Sequence, residues 1–190
     1  EDSMPFRKDS EVLGKLLSGA KNKYPILRDG EMMQDIQYSY NPQKNSSGWL
    51  ETFHPSETGN DEYPRPPTAK LGIPAVEVYK ENTTPDMIMG DALHILAETD
   101  PIISDHKRQL MESMTPRQEE QMLNRYNYMK ENHGEARDYD KWRKYSGNDA
   151  LLRAYPLRQW GDNPKSYEER YTPEQRTRLD AMVKYLKAPR

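Results

Sequence analysis

The sequence predicts a mainly α fold, a bundle of short helices carrying a small two-stranded β element and an irregular N-terminal arm. Three observations lead to it. Thr84-Pro85, Asp100-Pro101, Thr115-Pro116 and Thr172-Pro173 each place a capping oxygen before a proline, the signature of a helix start. Two short stretches after Gly48 have strand character, and residues 22–48 show little periodicity of either kind.

The first helix is expected over residues 10–21. Asp9 or Ser10 supplies the N-cap, and Val12, Leu13, Leu16, Leu17 and Ala20 fall on one stripe. Gly14 and Gly19 weaken it. A helix this short cannot hold such a stripe in water alone, so it docks on the main body or on another chain. Residues 22–48, with Pro42, Ser46, Ser47 and Gly48, read as a linker with a turn of helix near Met32 and Met33. The chain thus divides into an arm over residues 1–48 and a helical domain with a short β element over residues 49–190.

Residues 49–53 look extended, and residues 75–79 alternate apolar and polar, so the two are candidates to pair. Between them, Pro55, Pro64, Pro66 and Pro67 exclude helix and favour extended, solvent-facing backbone. Helices are expected over residues 85–98, 101–113, 116–131, 138–146, 149–155 and 173–187. Thr115 with Gln118 and Thr172 with Gln175 complete capping boxes, and Gly134 and Gly147 are stops. The intervals between starts are unequal, which argues against a solenoid.

Composition narrows the functional classes. Leu, Ile, Val and Phe number only 28 of 190 residues, but net charge is just -3, so the conditions for disorder are not met together. Ten Met, 13 Tyr and 3 Trp therefore supply much of the core. Basic and acidic residues, 28 against 31, are interspersed and give no overall pull towards nucleic acid or an anionic membrane. No stretch approaches the roughly 20 apolar residues of a membrane span, no signal-peptide core opens the chain, and it reads as soluble. The absence of cysteine excludes disulfides, thiol catalysis and cysteine-based zinc sites, and suits a reducing cytoplasm.

Asp91, His94 and Glu98 lie three and four residues apart on one helix, a spacing that projects all three along one face. Such a face can ligate a divalent metal or position an imidazole for proton transfer. The competing reading is a solvated polar side opposite Ile88, Ala92, Ile95 and Leu96. Glu51, His54, Glu57 and Asp61, on the proline-rich loop and its entry strand, would complete a site if the loop folds over that helix. Paired carboxylates there would suit glycoside hydrolysis, with Glu57, His94 and Asp91 as catalytic groups. Surface carboxylates are the ordinary alternative.

Residues 133–160 alternate basic and aromatic groups, among them Arg137, Lys141, Arg143 and Lys144 with Tyr139, Trp142 and Tyr145. Basic grooves with aromatic platforms bind single-stranded nucleic acid, although Glu135, Asp138 and Asp140 dilute this one. No Gly-rich phosphate loop, Gly-x-Ser-x-Gly elbow or Rossmann fingerprint is present.

Several strings read together carry a resemblance. They are Leu50-Glu51-Thr52-Phe53-His54-Pro55-Ser56-Glu57, Val76-Glu77-Val78-Tyr79, Gly90-Asp91-Ala92-Leu93-His94, Gly134-Glu135-Ala136-Arg137 with Trp142, Asp149-Ala150-Leu151-Leu152-Arg153-Ala154-Tyr155 and Tyr171-Thr172-Pro173. Over residues 49–188 the chain resembles a group of tailed-phage and prophage proteins, from which Tyr139 and Ala154 are mild departures. The resemblance implies a viral origin and a virion or DNA-ejection role, with other phage proteins as partners. It carries over Glu51, Glu57, Asp91, His94, Glu135 and Arg137 as the polar positions of any site, with Trp142 beside the last two.

The leading expectation is thus a virion-associated structural or interaction protein, present in the virion and in the host cytoplasm during assembly. The alternative is a metal-assisted or carboxylate-based hydrolase, with peptidoglycan as its candidate substrate, using Glu51, Glu57, Asp91 and His94. Nucleic-acid binding by residues 137–160 ranks third.

Overall fold

A computed structural model describes residues 4–28, 36–43, 48–53, 74–146, 157 and 164–190. In chain order they form α1 (Met4–Lys23), a 3-10 turn (Pro25–Arg28), β1 (Gln37–Tyr40), β2 (Leu50–Phe53), β3 (Ala75–Val78), α2 (Pro85–Thr99), α3 (Pro101–Glu112), α4 (Pro116–His133), α5 (Tyr139–Ser146), α6 (Pro164–Arg170) and α7 (Pro173–Lys187). The fold is mainly α with one small sheet. The turn near Met32, the helix expected over residues 149–155, the stop at Gly147 and the loop from His54 to Pro67 lie outside the described residues.

The sheet has three strands in the order β1-β3-β2, not two. As expected, β2 and β3 pair, antiparallel, with Glu51 opposite Glu77 and Thr52 opposite Val76. The additional strand β1 runs parallel to β3 and comes from the stretch read as linker. Its Gln-Tyr-Ser-Tyr sequence contains no aliphatic residue. Yet it alternates as a half-buried strand does, with Tyr38 and Tyr40 partly covered and Gln37 and Ser39 exposed.

Two compact units divide the chain, residues 1–100 with 184–190, and residues 101–183. The division falls after Asp100 and not at residue 48, because α1 packs on α2 and β1 within the first unit. Two residues fasten the end of α1 to the first turn of α2. The Tyr24 hydroxyl donates to Asp86, and Lys23 Nζ lies 2.8 Å from the same carboxylate. Ala20, Tyr24, Ile26 and Leu27 are buried, and Ile36, Val76 and Ile95 form a core joined by Tyr38 and Leu50.

Thr84 caps α2, its side chain accepting from Met87 N, with Pro85 in the first turn. Every residue from Ile88 to Ala97 is buried, so this helix is covered on all sides. The first unit is also tied at its later residues, where the Tyr185 hydroxyl donates to the buried Asp100 at 2.6 Å.

In the second unit, Thr115 and Gln118 form the expected capping box at the start of α4, and Gly134 ends that helix in the left-handed conformation at φ 63°. Tyr126 packs against Tyr139 and Trp142, with ring centroids 5.3 and 5.4 Å away, and its hydroxyl donates to Arg137 O at 2.8 Å. The helix α6 was not expected, although Asn163-Pro164 carries the same polar-residue-plus-proline signature as the other starts. Tyr167 on α6 donates to Asp180 on α7 at 3.0 Å. The predicted Met- and Tyr-rich core is present in both units, with Met89, Tyr24 and Tyr79 buried in the first and Met122, Met182, Tyr126, Tyr167 and Tyr171 in the second.

Candidate functional site

Helical spacing aligns Asp91, His94 and Glu98, but their surroundings differ. Asp91 and His94 are 1% and 8% exposed, whereas Glu98 lies one residue beyond the buried run and is exposed. The polar face read as solvated is therefore covered over its first turn. A buried carboxylate is costly unless it accepts hydrogen bonds. Asp91 Oδ2 accepts one from Thr52 Oγ1 at 2.8 Å, which joins α2 to β2. From β1, Tyr38 senses the same charge: burial first, and the Asp91 carboxylate second, push its hydroxyl pKa up. Among the described residues no three His, Asp or Glu side chains gather as a group that could hold a metal ion.

Glu51 precedes Thr52 on β2, and successive strand residues face opposite sides of a sheet. It therefore turns away from Asp91. Glu51 stands across from Glu77 on β3, and the Tyr79 hydroxyl lies 2.9 Å from Glu51 Oε2 and 2.8 Å from Glu77 Oε2. Burial, the hydrogen bond to Glu77 and the charge of Glu51 all raise the phenol pKa. Two carboxylates thus flank one phenol. Glu77 and Tyr79 were missed by sequence reasoning, although the alternation of residues 75–79 placed them on the face that Glu51 occupies once β2 and β3 pair antiparallel. Glu57, with His54 and Asp61, lies outside the described residues.

Glu135, Arg137 and Trp142 belong to the second unit and to a different arrangement. Arg137 Nε and Nη2 donate to the two Glu135 oxygens at 2.7 and 2.9 Å, a fork that holds the Glu135 carboxyl below its ordinary range. Trp142 is 2% exposed between Tyr126 and Tyr139. Arg143 pairs with Glu119, and Lys107 Nζ donates to Lys144 O at 2.7 Å. The aromatic members Tyr139 and Trp142 therefore pack against Tyr126 instead of forming an open stacking platform. The helical period turns Trp142 inward while Lys141 and Lys144 stay exposed.

No protein-family model, curated protein or solved structure matches this chain. Among the described residues, no helix is long and apolar enough to cross a membrane.

The polar candidates thus separate into three groups. Asp91 meets Thr52 beneath the sheet, Glu51 meets Glu77 and Tyr79 on its other face, and Glu135 meets Arg137 in the second unit. Only the second brings two carboxylates together, and it does so around a phenol that is itself 5% exposed.

Proposed function

We propose that this chain is a virion-associated structural and interaction protein of a tailed bacteriophage, working in particle assembly or DNA ejection alongside other phage proteins. Its residence is the virion and, during assembly, the host cytoplasm. The reading rests on the resemblance drawn from the sequence, and one observation supports it: residues that the resemblance singles out are engaged within the fold. Asp91 accepts from Thr52, Glu135 holds Arg137, and Trp142 fills an aromatic core. Trp49, Ile102, Leu123 and Tyr128 meanwhile keep 36–56% of their surface exposed.

The experiment is quantitative mass spectrometry of gradient-purified particles from cells producing the phage that encodes this chain. The protein is expected to co-sediment with particles at fixed stoichiometry and to remain after a high-salt wash. Recovery solely in the particle-free fraction would remove the proposal.

A second reading, a carboxylate-based hydrolase directed at peptidoglycan, is favoured by the Glu51–Glu77 pair. Glycoside hydrolysis uses two carboxyl groups about 5–10 Å apart, and here two carboxylates approach the same phenol oxygen, at 2.9 and 2.8 Å. The version built on Asp91 and His94 gains no such support, since both side chains are covered.

A further inference from the structure

We draw no further inference here: the strongest candidate, the exposed side chains of Leu123 and Tyr128 on α4 of the second unit, carries nothing because nothing in the structure shows what covers them.

Discussion

Gln118 and Gln175 exchange side-chain amides, each Nε2 donating to the other's Oε1 at 2.8 Å. Each oxygen also accepts from the backbone N–H of its own capping threonine, Thr115 at 3.0 Å and Thr172 at 3.1 Å. Each nitrogen reaches a further carbonyl, Arg170 O from Gln118 and Ser113 O from Gln175. Two capping boxes are thereby locked to each other, with the donors and acceptors of both amides in use.

Gln175→Glu tests that lock. The carboxylate would still accept from Thr172 N but would face Gln118 Oε1 and Ser113 O with no proton to offer, at a site 1% exposed. Unsatisfied buried acceptors of this kind cost about 1–3 kcal/mol each. Urea denaturation is expected to show a loss of about 2–4 kcal/mol, and a loss of about 1 kcal/mol or less for Gln118→Glu, whose site is only partly covered. Equal, negligible effects would mean that the reciprocal amide pair is not formed.

These capping boxes were legible because a cap-plus-proline start is a local signal. Thr84, Thr115 and Thr172 needed no knowledge of the fold. The pairing of Gln118 with Gln175 was not legible, since it depends on which helix ends meet in space. Strand β1 escaped for a similar reason, because Gln37-Tyr38-Ser39-Tyr40 becomes a strand only when β3 lies beside it. At the candidate site, residues 88–97 read as one apolar stripe with a polar back, yet neighbours cover both sides and bury Asp91 and His94 with the rest. The pleat of β2 then separated Glu51 from Thr52, so residues grouped by composition ended on opposite faces.

The hydrolase reading makes its own prediction. If Glu51 and Glu77 act as acid and base or nucleophile, the wild-type protein clears isolated peptidoglycan, and Glu51→Gln and Glu77→Gln each lower the rate by roughly 100-fold or more while the fold survives. Absence of clearing by the wild-type protein sinks this reading and leaves the structural one standing.

Stability should fall at alkaline pH. Burial and neighbouring carboxylates raise the hydroxyls of Tyr24, Tyr38, Tyr79 and Tyr167 above the ordinary value of 10.0. A raised folded-state value means that the native protein retains protons which the unfolded chain releases. The contribution is therefore fully present below about pH 10 and is lost as pH rises further, by up to roughly 1.4 kcal/mol per pH unit for each tyrosine. Urea midpoints measured from about pH 8 to about pH 11 should hold steady and then drop. A flat profile would show that these phenols are not protected.

The measurement closest to the central claim is a double-mutant cycle on Thr52 and Asp91. If the polar residues of α2 hold the sheet to the helix, Thr52→Val and Asp91→Ala should each destabilise the protein. Their effects should also be non-additive, with a coupling energy of about 1 kcal/mol or more in urea denaturation. Strict additivity, or an Asp91→Ala variant as stable as the wild type, would contradict the account.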